Sequence, residues 1–328
     1  MRILATPNFN FIRWRWHALI LSALVIGAGL ATIYKRGGLP LGVDFSGGTV
    51  ILVSYEKPVD LNAVRSAVQP VSGEVQVQKS GTAGTQVMIR LPLAPGSEEA
   101  TQLDDSADKV MAALRAANLG TFRPNQPDQK EIVGPVIGAD LKQKGVLATI
   151  TALGGILVYI GIRFRFSFAA GAIVATFHDI LVTLAFLTWF GYDISLNVIA
   201  AILTIAGYSV NDTIVIFDRV RENQRHARRE PLMELVNKSV NQTLSRTIIT
   251  AGVTFLAVLA LFLFGGEVLR GLSFTLLVGI ITGTYSTVFI ASAIAIMLSP
   301  RNTGGPSPAP AKAATSTRAQ ASAKGTRT

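Results

Sequence analysis

The sequence predicts a polytopic α-helical membrane protein of six spans, with a small α+β domain inserted after the first. Three observations carry this. The 328 residues are 49% hydrophobic and only 15% charged, too apolar for an ordinary soluble domain. Apolar runs fall at 16–34, 145–162, 166–190, 194–217, 248–264 and 272–298. Each is about 17–27 residues, against the ~20 that cross a hydrocarbon core. Between the first two runs lies a block of nearly balanced charge with no stretch able to span.

The elements follow in order. Residues 1–15 are a cytoplasmic N-terminus carrying Arg13 and Arg15. The run 16–34 is long for a signal-peptide core, and Tyr34-Lys35-Arg36 is a poor cleavage context, so it reads as an uncleaved anchor. Residues 35–144 form the external domain. Its β-formers cluster at 49–55, 75–79, 86–91 and 129–133. Helical spacing covers 60–69 and 104–118, where Leu103, Val110, Met111 and Leu114 share one stripe. The order β-α-β-β-α-β is that of a ferredoxin-like split unit. Ser80-Gly81-Thr82-Ala83-Gly84 suits a hairpin loop. Gly37-Gly38 and Gly134-Pro135 flank the domain as hinges. It has no histidine, no cysteine and no phosphate loop, since Gly47-Gly48 lacks a following lysine. Residues 145–300 hold the second to sixth spans. Residues 301–328 are Ala, Pro, Ser, Thr and Gly with scattered basic residues, a disordered cytoplasmic tail by composition.

A net charge of +10 invites a nucleic-acid partner, but its distribution argues against one. The basic residues gather at Arg13/Arg15, at Arg163/Arg165, between Arg219 and Arg229, and in the tail. Those are alternate connections, the positive-inside pattern, which places both termini in the cytoplasm. The absence of cysteine removes disulfides and thiolate metal sites, and no metal or cofactor is expected.

The chemistry sits in the membrane block. Gly207-Tyr208-Ser209-Val210-Asn211-Asp212-Thr213 places an amide and a carboxylate inside an apolar helix, where an unpaired charge costs at least ~2.5–3.5 kcal/mol. Such an acid marks an ion or proton path by default; the bland alternative is a neutral Asp bonding a neighbouring helix. His178 and Asp179 lie mid-span, ~20 Å from Phe166, whereas Asp212 lies ~10 Å from Arg219. Arg246 opens the fifth span near the depth of Asp212. An Arg–Asp pair keeps the acid ionised, and its opening lets the acid take a proton; the alternative is an Arg that anchors a helix end. His178 reads equally as a shuttle or a core histidine. Asp218 and Arg219, with Arg221 and Glu222, read as a latch or as a solvated helix end. Gly265-Gly266, Gly271, Gly279 and Gly283 suit close helix packing. Ser195, Asn197 and Thr204 line a polar path or bond across helices.

These residues add up to a resemblance. Gly42-Val43-Asp44-Phe45-Ser46-Gly47-Gly48-Thr49 follows the first span, and Val133-Gly134-Pro135-Val136-Ile137-Gly138 precedes the second. GYSVNDTIVIFDRVREN runs from Gly207 to Asn223, NQTLSRT from Asn241 to Thr247, and FGGEVLRGLSF from Phe264 to Phe274. Over roughly residues 10–300 the series resembles the SecD/SecF family of protein-export membrane proteins. The resemblance implies six helices arranged as one half of an RND-type transporter. It implies a non-enzymatic subunit of the bacterial inner membrane that couples proton flow to movement of external domains and so assists export of unfolded pre-proteins. The partners implied are SecD, the SecYEG translocon, YajC, YidC, the pre-protein and membrane lipid. The coupling ion is the proton, relayed by Asp212, Arg246, Asp179, His178 and Asn211. Gly42, Asp44, Gly47, Gly48, Gly207 and Tyr208 match the family motifs. The competing expectations are a passive scaffold and half of a small-molecule proton antiporter.

Overall fold

The computed structural model describes residues 8–72, 75–80, 85–91, 100–122, 129–133, 135–226 and 230–299. The expected hairpin tip at 81–84, the hinge residue Gly134 and the tail at 301–328 lie outside them.

Among the described residues, six helices are long and apolar enough to cross a membrane. A short 3-10 turn at Ile12–Trp14 leads into α1 (Arg15–Lys35). The helix ends on Gly37 and Gly38, both at positive φ. Their N–H groups reach back to Tyr34 and Ile33 carbonyls at 3.1 and 3.0 Å, a Schellman closure that needs a residue free of Cβ strain. A one-turn helix α2 (Val43–Ser46) then feeds the sheet domain.

That domain comprises β1 (Gly48–Ser54), α3 (Leu61–Ser72), β2 (Gln76–Ser80), β3 (Gln86–Leu91), α4 (Ala100–Ala116) and β4 (Gln129–Val133). The strand order is β2-β3-β1-β4, all neighbours antiparallel, the arrangement expected of a split β-α-β unit. Thr49 stands opposite Leu91 on one side and Ile132 on the other. Period-two alternation in β3 turns Val87, Ile89 and Leu91 to the interior. There they pack with Ile51 and Val53 and with Val64, Val68, Val110 and Leu114 of the two helices. Arg90 is left on the opposite face of the strand.

The remaining spans are α5 (Pro135–Arg163), α6 (Phe166–Phe190), α7 (Leu196–His226), α8 (Leu232–Phe264) and α9 (Gly266–Ser286). A π-helical turn at Thr287–Ala291 joins α9 to α10 (Ser292–Leu298), completing the sixth span. The helix carrying the second span begins at Pro135, ahead of the apolar run at 145. α8 has 33 residues, about 50 Å at 1.5 Å per residue, so it and α7 run on beyond a hydrocarbon core. α6, α7 and the α9–α10 unit form the interior, while α1, α5 and α8 present most of their surface outward. Gly279 and Gly283 bring α9 against α7: an added Cβ would meet Ile205 at 2.0 Å and Ser209 at 3.1 Å. Small residues permit such approach where lipid supplies no hydrophobic drive between helices.

Candidate functional site

The interior of the bundle holds a polar cluster drawn from four helices. Asp179 on α6 is fully buried and His178 is 6% exposed. Ser209 of α7 and Ser286 of α9 donate to Asp179 Oδ2 at 2.5 and 2.8 Å. His178 Nδ1 lies 3.0 Å from Asp179 Oδ1, and its Nε2 lies 2.8 Å from Ser22 Oγ on α1. Ser22 Oγ is also 3.3 Å from Tyr285 OH, which donates to the Ala18 carbonyl at 2.8 Å. Both Asp179 oxygens are thus engaged. Hydrogen bonds to a charged group contribute about 1.5–3 kcal/mol each, which offsets the cost of taking the carboxylate out of water.

Local structure explains the convergence. Gly283 lets Ser209 approach α9, and Ser286 follows one turn later. The π-helical turn begins at the next residue, and Thr287 Oγ1 meets both Thr213 Oγ1, at 3.1 Å, and the Gly283 carbonyl, at 2.8 Å. Single π turns inside α-helices recur at functional sites because they re-aim side chains. Gly171 of α6 fits under this turn, where an added Cβ would sit 2.5 Å from the Ala291 carbonyl oxygen.

Asp212 lies three residues beyond Ser209, so close to one turn further along the same face. It is 5% exposed, and its Oδ2 is buried without a hydrogen-bond partner. Arg246 does not pair with it directly. The buried stripe of α8 here is Val240, Thr243, Leu244, Thr247 and Ala251. Arg246 falls one residue off that stripe and is exposed; it acts on Asp212 only through its field across the gap. The expected contact pair is therefore open in this structure. Asn211 is likewise exposed, because the buried face of α7 passes through Ser209, Asp212 and Thr213.

The expected Asp218–Arg219 latch resolves into two separate contacts. Arg163, at the end of α5, donates to both Asp218 oxygens at 2.8 and 2.9 Å. Arg219 instead binds Gln242 of α8 at 2.6 Å and Glu222 at 2.7 Å. Adjacent residues of a helix point about 100° apart, so the two side chains meet different neighbours.

The first motif forms a joint between sheet domain and membrane helices. Gly42 N–H donates to the Ile194 carbonyl at 2.8 Å, and Ile194 N–H donates to the Pro40 carbonyl at 2.7 Å. Asp44 Oδ2 accepts the Leu196 N–H at 2.7 Å, capping α7 from a distant segment and placing an anion at its positive end. Phe45 packs with Ile194, Val198 and Ile202. Gly47 and Gly48 have φ of 70° and 123°, which lets α2 turn sharply into β1. Arg90 of β3 pairs with Asp193 in the α6–α7 connection. Burial pushes Asp193 above the ordinary carboxylate value, against the lowering influence of Arg90. In the second motif Tyr208 is half-buried, with its hydroxyl unpartnered. Gly207 has open space where a Cβ would stand, so close packing does not explain it.

Sequence reasoning singled out His178, Asp179 and Asp212 but missed Ser22, Ser286 and Tyr285, and the outer pair Arg90–Asp193. The available signal for Ser22 and Ser286 was a hydroxyl within an apolar span. That signal is weak, because serine also satisfies itself on its own helix backbone.

A six-span bundle with buried carboxylates, jointed to a ferredoxin-like domain after its first span, defines a multi-pass membrane protein of the transport class. The chain belongs to the SecD/SecF family of protein-export membrane proteins. The family model described as protein export membrane protein SecD/SecF, C-terminal, matches residues 115–301, and the SecD/SecF GG motif matches residues 37–59. The protein translocase subunit SecF of Escherichia coli O157:H7 is 40% identical over 88% of each chain. That of Rhodothermus marinus is 42% identical over 92% of this chain and 96% of its own. The crystal structure of SecDF from Thermus thermophilus, a translocon-associated membrane protein, matches with a TM-score of 0.77 at 33% identity. The match covers 90% of this chain and 39% of that one, so this chain spans about two-fifths of a SecDF polypeptide. SecDF in a super-membrane-facing form matches at the same coverage with a TM-score of 0.62.

Proposed function

We propose that this chain is the SecF-type half of a proton-driven accessory to protein export in the bacterial inner membrane, with both termini in the cytoplasm. The observation that carries the reading is the buried, unpartnered Oδ2 of Asp212, one turn along α7 from the Ser209 that bonds Asp179. An intramembrane acid left incomplete is the expected form of a group whose protonation changes during a cycle. Asp212 takes up and releases the proton, Arg246 biases it by its charge, and the His178–Asp179 cluster with Asn211 forms the rest of the relay. SecD supplies the second half, since repeat-built transporters place ion sites between halves. The joint at Gly42–Gly48 transmits helix movement to the sheet domain, which acts on an unfolded pre-protein emerging from SecYEG; YajC and YidC are the further partners.

Asp212→Asn, which imitates the protonated acid, is expected to assemble with SecD and to abolish proton-dependent stimulation of export in inverted vesicles. Wild-type stimulation from a correctly assembled variant would favour a passive scaffold instead. Arg246→Lys keeps the charge without the planar fork and is expected to retain part of the activity.

A further inference from the structure

We infer that Ser22 and Tyr285 are positioning residues that give the His178 ring a satisfied hydrogen-bond network both with and without a second ring proton. The inference rests on the proton-relay reading above but concerns residues outside its family motifs.

The hydrogens around the ring can be counted. Asp179 Oδ2 is engaged by the hydroxyls of Ser209 and Ser286. Its Oδ1 faces His178 Nδ1 at 3.0 Å. With the carboxylate ionised, Nδ1 carries a hydrogen and donates it. In the neutral ring Nε2 then has a lone pair, and the one hydrogen of Ser22 Oγ fills it at 2.8 Å. When the ring gains a proton, Nε2 becomes a donor and Ser22 must accept. Its hydrogen then needs another acceptor. Tyr285 OH stands 3.3 Å away, and its own hydrogen is committed to the Ala18 carbonyl at 2.8 Å, so its oxygen is free to accept. Rotation of the Ser22 O–H from Nε2 to Tyr285 thus converts one satisfied network into another. The incoming proton is given by a hydronium ion, whose O–H bond breaks and which leaves as water, and it forms the Nε2–H bond; no other covalent bond changes, and release reverses the step.

A buried histidine placed only for packing needs one satisfied state, and an unsatisfied donor in either state would carry a desolvation penalty. Here a partner exists for both. Asp179 and Tyr285 are the titratable side chains in contact with the ring. α1 presents Ser22, with Arg15 and His17 at least a turn away. α7 presents Ser209 to Asp179, with Asp212 one turn beyond. Because Ser22 belongs to α1, the helix that leads into Gly42–Gly48, the change of network takes place on the helix preceding the sheet domain.

The test is 15N NMR of ring-labelled histidine in the full chain, reconstituted with SecD in lipid nanodiscs and titrated between about pH 5 and 8, a range set by the histidine titration. The His178 signal is assigned by loss in His178→Gln. Wild type is expected to show an acceptor-type Nε2 at the alkaline end and an imidazolium at the acid end. Tyr285→Phe removes the acceptor used only by the charged network. It is expected to leave the alkaline spectrum unchanged and to reduce the imidazolium fraction at a given acid pH. Ser22→Ala should alter both forms, and Ser22→Thr, which keeps the hydroxyl, should restore both. A wild-type ring that stays neutral across the range, or a Tyr285→Phe titration that matches wild type, overturns the inference. The spectra do not depend on export, so failure here is distinct from an Asp212→Asn that still supports proton-driven export.

Discussion

Asp179 and Asp212 are both buried carboxylates in the same bundle, yet their surroundings differ. Asp179 meets His178, Ser209 and Ser286 from three helices. Asp212 leaves an oxygen buried without a partner. The difference separates two uses of a buried charge. A carboxylate engaged at both oxygens organises the groups around it. One with a buried oxygen left unpartnered can take up a new partner when one approaches.

The sharpest way to break this comparison is to make the same substitution at both sites. Asp179→Asn puts an amide where hydroxyl and ring donors converge, so at least one donor meets an N–H. Leaving a buried donor unsatisfied costs about 1–3 kcal/mol, and the expected result is a clear loss of thermal stability in detergent, with export falling in step with folded protein. Asp212→Asn removes no hydrogen bond from Oδ2, so its stability should stay close to wild type while proton-driven export is lost. Equal destabilisation of both variants would show that the two sites are alike.

Much of this was legible in the sequence. Six apolar runs and the β-former clusters at 49–55 and 86–91 are one-dimensional signals, and they mark the spans and the sheet. His178, Asp179 and Asp212 stood out because ionisable residues are rare in a span. What could not be read was rotational phase. Depth along the helix puts Arg246 level with Asp212, but a residue's neighbours depend on a face that shifts by about 100° per position. The same limit splits Asp218 from Arg219. Ser22 joins His178 across 156 positions, a contact that only the packing of α1 on α6 reveals.

The contrast repeats, with smaller energies, at the joint outside the membrane. Asp44 is the satisfied member, accepting the Leu196 N–H at the start of α7. Asp44→Ala should cost about 0.5–2 kcal/mol, the usual range for losing a helix cap. Its effect should appear as faster amide exchange at Leu196 and in the first turn of α7, with the sheet domain's own core untouched. Exchange unchanged at Leu196 would mean that the backbone bonds of Gly42 and Ile194 hold the joint alone.

Asp193 is the incompletely compensated member, and it gives the smallest effect. Burial raises its pKa, and the pairing and charge of Arg90 recover only part of that shift. The seated form therefore holds the Asp193 proton more tightly than a free carboxylate, whose value is 3.8. Seating of the sheet domain is then favoured below that value, and this contribution is lost as pH rises through the raised one. Two substitutions separate the contributions. Asp193→Asn imitates the protonated form and should leave seating at neutral pH intact. Arg90→Gln leaves a buried anion without its cation and should loosen it. The chain has no cysteine, so spin labels at Arg115→Cys and Tyr34→Cys can report the distance between sheet domain and first span. A broader distance distribution in Arg90→Gln at neutral pH, narrowing on acidification, is the expected result. Broadening on acidification would reverse the sign and mean that an ionised Asp193 holds the seat better than a protonated one.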